Sequence, residues 1–224
     1  MFSYRSHKKE LLDGPVERKE LFQNLKELHS INSLLGGYRI SIDAIKKFNL
    51  NGKTLVDIGS GGGDTLHQIH KYIHKNSINS KLIGIDLKLE CTEYAQSHLP
   101  AELTFITDDY RNISLHTKKI DFIHACLFTH HLTEEEIIEL ITFALNNNAV
   151  LIINDLERNP IAYYAIKVLT RLFSKSHLVK NDAPLSVLRG FKKAEWLKMI
   201  QKTNAKQYNV TWKWAFRHQI IIDG

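Results

Sequence analysis

Cysteine is scarce in this chain. Only Cys91 and Cys126 occur among 224 residues, far apart and outside any Cys-x-x-Cys spacing, which argues against a disulfide framework and fits a reducing compartment. Most of the twelve histidines are scattered; they form no cluster with cysteine and give no reason to expect a metal. No stretch reaches the ~18 apolar residues a membrane span needs. The polar opening, Met1 to Glu10, has none of the apolar run of a secretory signal, so a cytoplasmic protein without a membrane span is expected. Internal repeats and low-complexity tracts are absent as well, and with only four prolines no obvious linker divides the chain.

What is present is ordinary globular material: 43% hydrophobic and 24% charged residues, enough to bury a sizeable core. The formal charge of +6 is mildly basic. It would suit a nucleic-acid partner, but no basic patch interleaved with aromatics accompanies it.

From Glu17 to Leu35 the apolar residues Leu21, Phe22, Leu25, Leu28, Ile31, Leu34 and Leu35 fall at helical spacing, and Gly36-Gly37 should end that helix. A second helix is expected over Ile40 to Phe48. From residue 53 the pattern changes. Short runs apolar on both faces, at Thr54–Ile58, Leu82–Ile85, Leu103–Ile106, Asp121–Ala125 and Ala149–Ile153, alternate with helical stretches over Asp64–Lys75, Glu90–His98 and Thr133–Leu145. Such an alternation predicts an α/β fold, a doubly wound parallel sheet covered on both sides. Helices over Asn159–Phe173 and Lys192–Lys202, then strands over Lys206–Trp212 and His218–Ile222, suggest a closing antiparallel hairpin. Between those helices, Asn181 to Phe191 reads as a long connection suited to a lid. The expected organisation is one domain over 1–224: a helical cap (1–50), a cofactor-binding core (51–157), substrate-side helices and a lid (158–205), and C-terminal strands (206–224).

The loop Asp57-Ile58-Gly59-Ser60-Gly61-Gly62-Gly63 follows the first strand, where ligands bind in such sheets. A dinucleotide fingerprint starting at Gly59 would need a third glycine at position 64, which is aspartate, and no Gly-Lys-Ser/Thr follows for a P-loop. Asp57 would repel a pyrophosphate but suit a sulfonium that carries an amino group. At the end of the second strand, Asp86, followed by Leu87, can accept from both hydroxyls of a ribose. Beyond the third strand, Asp108 and Asp109 offer acceptors for an adenine amino group, and Tyr110 a surface for its ring. Any one of these acids can be a mere helix cap; three at three consecutive strand ends beside a glycine loop form a joint pattern.

On these residues the chain resembles the class I S-adenosylmethionine-dependent methyltransferases, over roughly residues 50 to 157. Val56 to Gly63 looks like their glycine motif, which would place Gly59, Ser60, Gly61 and Gly63 against the cofactor; Asp86 matches their ribose acid and Asp108 their adenine-side acid. The resemblance implies a mostly parallel, Rossmann-like sheet of seven strands with the last antiparallel. Asn32 to Arg39 is similar to the segment before that motif in the ubiquinone/menaquinone methyltransferase branch, which would set Tyr38 and Arg39 over the cofactor's amino-acid end.

Methyl transfer needs alignment of a nucleophile and exclusion of water rather than a metal. A phenol or alcohol acceptor also benefits from a base. Leu127-Phe128-Thr129-His130-His131-Leu132, after the fourth strand, looks like the His-His stretch of small-molecule O-methyltransferases, a resemblance that implies Leu127 against the cofactor. Two readings stand. His131 or His130 is the base with Asp155 orienting it, or the histidines cap the next helix while proximity alone drives transfer. The stretch Asn181 to Phe191, with Asn154-Asp155, further resembles methyltransferases associated with bacterial polyketide synthases, implying a small aromatic or lipophilic acceptor that is phenolic, quinol or polyketide-like; a homodimer is compatible with this reading. The alternatives are a nucleic-acid methyltransferase, which should carry an Asn/Asp-Pro-Pro-aromatic segment or a Pro-Cys pair where Cys126-Leu127-Phe128 stands, and a non-catalytic S-adenosylmethionine-binding module.

Overall fold

A computed structural model describes residues 2–223. Strands β1 (Lys53–Ile58), β2 (Ser80–Asp86), β3 (Thr104–Thr107), β4 (Phe122–Cys126), β5 (Val150–Leu156), β6 (Gln207–Lys213) and β7 (Arg217–Asp223) form one sheet in the order β3-β2-β1-β4-β5-β7-β6. The pairings among β1 to β5 are parallel, and β7 runs antiparallel between β5 and β6. The helices are α1 (Arg18–Leu34), α2 (Gly37–Ile45), α3 (Asp64–Lys75), α4 (Leu89–His98), α5 (Ile113–His116), α6 (Glu134–Asn146), α7 (Pro160–Phe173), α8 (His177–Arg189) and α9 (Lys193–Gln201). None of the described helices is long and apolar enough to cross a membrane.

Successive strand side chains point to opposite faces, and the core splits accordingly. Val56, Ile58, Ile83, Ile85, Ile123, Leu151, Ile153 and Ile220 pack against α6 and α9 through Ile137, Leu140, Ile141, Trp196 and Met199. Their neighbours Leu55, Leu82, Phe122, Ile152 and Ile221 pack against α2 and α3 through Ala44, Ile45, Leu66 and Ile69. This two-sided burial explains the continuous apolar runs. The reversal of strand order between β1 and β4 opens a crevice at the carboxyl ends of the parallel strands, where ligands of such sheets bind.

Two segments differ from expectation. Gly36 is left-handed, with φ 70°, and breaks the chain between α1 and α2, but Gly37 already begins α2. The long connection expected over Asn181–Phe191 is instead mostly the second half of α8, with Pro184 inside the helix. A mid-helix proline costs about 3 kcal/mol. Burial of Leu178, Val179, Leu185 and Val187, each worth about 1.5–3 kcal/mol, outweighs it.

Candidate functional site

A cavity of about 600 Å³ lies over the ends of β1, β2, β3 and β4, within the size range of small-molecule sites. Its floor is Gly59 to Gly62, its sides are Ile85 to Lys88, Asp108 to Arg111 and Cys126 to Phe128, and α1 and α2 cover it with Leu25, Leu28, His29, Asn32 and Tyr38. Gly59 has φ +61°, and a Cβ there would stand 2.1 Å from the Phe128 ring. Both demands leave glycine as the residue that fits.

Of the residues expected to hold a cofactor, Gly59, Ser60, Gly61, Asp86, Leu87, Asp108, Asp109, Tyr110 and Leu127 line this cavity. The Asp86 carboxylate ties two walls together: Oδ2 accepts from the Gly61 amide at 2.8 Å and Oδ1 from the Lys88 amide at 2.9 Å. Each oxygen keeps acceptor capacity. Burial pushes its pKa up, against those two hydrogen bonds. Ser60 Oγ is buried without a protein partner, an orphan that a bound polar group would satisfy. Asp108 is held below the usual carboxylate range by hydrogen bonds from His116 and Asn112. Burial pushes the Tyr110 phenol up to about 12, and its ring meets Phe128 edge-on. Leu127 adopts φ 54°, strained for a leucine, while its amide is fixed by the Asn154 carbonyl at 3.0 Å.

Three expected cofactor residues lie outside the cavity lining. Arg39 points away: its side chain is 86% exposed and faces Asp43 one helical turn on. Gly63 is the left-handed N-cap of α3, where a Cβ would collide at 2.7 Å with Leu99 and Phe105, so its task is to let the helix approach the sheet. The Asp57 carboxylate turns inward to His124 Nδ1 at 2.7 Å, and His124 Nε2 meets Ser41 Oγ at 2.9 Å. This Ser-His-Asp line has the connectivity of a hydrolase triad. All three residues are buried and Asn154 also donates to Ser41, so the line ties α2 to β1, β4 and β5 and presents no nucleophile.

The paired histidines separate in role. His130 is 3% exposed and sits behind the cavity wall. Its Nδ1 meets Asp155 Oδ1 at 2.7 Å, while its amide and Thr129 Oγ1 both donate to Oδ2. Burial alone would raise the Asp155 pKa, but His130 and these hydrogen bonds hold it well below the usual range. His131 faces the cavity, and its Nδ1 meets Asp13 Oδ1 at 3.1 Å. Asp155 therefore orients His130, and the acid beside the cavity-facing His131 is Asp13.

Asp13 belongs to a strap, residues 5 to 13, that the sequence presents only as a polar beginning. Asp182 of α8 accepts the Leu11 and Leu12 amides, both at 2.9 Å. Arg189 donates to Asp13 Oδ2 at 3.0 Å. Arg5 lies 3.8 Å over the Phe191 ring and bonds the His130 and Leu132 carbonyls. Burial would raise Asp13, but His131 and Arg189 keep it well below the ordinary range. Glu10, raised by burial, faces His130 Nε2 at 3.6 Å and His131 Nε2 at 3.9 Å. These three could ligate a cation by spacing, yet the Arg189 guanidinium already stands 3.9 Å from the same carboxylate and opposes one. His70 and His74 on α3, four residues apart with ring centroids 6.1 Å apart, gain no third ligand among the described residues. The strap carries no periodic or glycine signal, so only the fold reveals it.

The family model for a methyltransferase domain matches residues 55–147. No curated protein matches the sequence. Among solved structures, the plantazolicin methyltransferase BpumL in complex with SAH superposes with TM-score 0.67 at 20% identity, over 95% of this chain and 92% of that one. A SAM dependent methyltransferase from Aquifex aeolicus gives 0.61 at 17%, over 93% and 98%. Human N-acetylserotonin methyltransferase in complex with SAM gives 0.64 at 14%, over 92% of this chain and 56% of that one. At these identities the likeness shows the fold, a seven-stranded Rossmann-like sheet with helices on both sides and a helical N-terminus. Residues 55–147 of the chain are thus similar to a methyltransferase domain, set in a fold shared with these solved methyltransferases.

Proposed function

We propose that this protein transfers a methyl group from S-adenosylmethionine to an oxygen of a small phenolic, quinol or polyketide-like acceptor. One observation carries the reading: a single cavity joins the glycine loop and the acidic strand ends to the side chain of His131. The residues fit the cofactor. Asp86 would accept from ribose hydroxyls and Asp108 and Asp109 from an adenine amino group, a reading supported by their position in the cavity lining and by the unsatisfied hydroxyl of Ser60. Asp64, paired with His29 at 3.2 Å, adds negative charge suited to a cationic donor. When bound, the cofactor supplies a methyl group on a sulfonium, an electrophile that needs no metal.

The remaining walls would hold the acceptor. Leu12, Phe128, Leu132 and Tyr110 give an apolar surface, and Tyr38, tied to His29 at 2.8 Å, closes the opposite side. His131 is the residue we assign as base. Asp13 accepts from its Nδ1, leaving Nε2 to take a proton from the acceptor hydroxyl, and the anionic Asp13 stabilises the imidazolium that results. Small acceptors are consistent with the neighbouring structures, among them the plantazolicin methyltransferase BpumL in complex with a triazolic desmethylPZN analog and human N-acetylserotonin methyltransferase.

A rate profile against pH with a phenol or quinol panel tests this. His131→Ala should lower kcat/KM by about 10²–10⁴-fold and abolish the acid limb while leaving donor binding intact. Near-normal turnover of that variant would remove the base from the mechanism, leaving alignment alone.

A further inference from the structure

Helix α7 turns its greasy side outward. Ile161, Tyr164, Val168 and Leu172 are spaced by three, four and four residues, which places them in one stripe. With Phe173 at the helix end, they are 57–76% exposed. The opposite side is occupied: Thr170 is its buried residue, α8 packs against the helix, and Phe2 meets Tyr163 edge-on while touching the stripe only at Tyr164. A chain of this composition has no folding reason to display such a stripe.

The charge around the stripe is of one sign. Between Glu157 and Asp182 the sequence contains no acidic residue, while Lys167, Arg171, Lys175 and Lys180 are all exposed. Lys167 and Arg171 flank the stripe on the side of Tyr164, given 100° per residue. Acids of the surrounding segments already have partners: Glu20 with His177 at 3.6 Å, Glu27, beside the end of α7, with Ser174 and the amides of Lys175 and Ser176, and Glu157 with the Trp212 indole at 3.1 Å. An outward apolar stripe with a cationic flank and no acid on its own helix fits the headgroup region of an anionic bilayer. A second copy packed antiparallel fits poorly, because that two-fold contact would set the cationic flank of one α7 against that of the other. We propose that α7 lies on an anionic lipid surface, inserting Ile161, Tyr164, Val168 and Leu172 while Lys167 and Arg171 engage the headgroups. The protein would then work as a peripheral membrane protein.

Co-sedimentation of the full chain with vesicles of phosphatidylcholine, alone or mixed with phosphatidylglycerol, tests this without reference to transferase activity. Binding should be at least about tenfold tighter to the anionic vesicles. The double variants Lys167→Glu/Arg171→Glu and Ile161→Ser/Leu172→Ser should each weaken it by about tenfold or more, with unchanged thermal unfolding because all four side chains face water. Absence of vesicle binding, or equal binding to both compositions, overturns the proposal. So does binding that survives Ile161→Ser/Leu172→Ser, which would mark simple adsorption by net charge. A concentration-dependent dimer in sedimentation velocity, lost in that same apolar variant, would give the face to a second copy instead.

Discussion

Asp57 and Asp86 are the same residue type at or near the ends of adjacent parallel strands, yet their carboxylates do different things. Asp86 faces the cavity and holds the Gly61 and Lys88 amides, whereas Asp57 is turned to His124 beneath it. Sequence places both at the right edge of the sheet; which way each side chain turns depends on Ser41 and His124, which come from elements far away in the chain. The same holds for His130 and His131, adjacent residues whose rings end up in the wall and at the cavity respectively. His218 offers a test at this scale. It is buried with both ring nitrogens unpartnered, and burial lowers its pKa. The unfolded chain then binds the proton more readily than the native one, so stability should fall as pH drops below about 6.5, the ordinary imidazole value. Chemical denaturation between pH 7 and pH 5 should show that loss, and His218→Leu should reduce it. An unchanged slope in the variant would mean another group governs acid sensitivity.

Among the elements, those that repeat a simple pattern were legible and those held by single long-range contacts were not. Helix α3 begins and ends where its periodicity and the glycine before it indicate, and β1 to β5 follow the apolar runs. Helix α8 hides behind Asn181, Asp182 and Pro184, residues that favour turns; here Asp182 serves a tertiary contact and Pro184 is buried. The strap is built by α8 as much as by its own sequence, since Asp182 takes two strap amides and Arg189 takes Asp13. Asp182→Ala should therefore release the strap at a cost of about 1.5–3 kcal/mol. Limited proteolysis should then cut within residues 2 to 17, and kcat should fall as Asp13 leaves His131, with donor affinity little changed. Protease resistance equal to wild type would show that the strap is held by other contacts.

For the molecule as a whole, the alternation of strands and helices was enough to specify a doubly wound sheet, and the hairpin β6–β7 closes it in the antiparallel sense expected. The cavity could not be read completely because about a quarter of its lining residues come from the strap, α1 and α2, segments in which only the stretch Asn32 to Arg39 carried a reading toward a ligand. The central claim is that an adenosyl donor lies across the ends of β1, β2 and β3 with its ribose on Asp86. Titration calorimetry of S-adenosylmethionine and of its demethylated product into the wild-type protein and into Asp86→Ala tests it most directly. The account predicts saturable one-to-one binding that the substitution weakens by about 1–3 kcal/mol. Absence of binding to the wild type, or equal affinity in the variant, would contradict it.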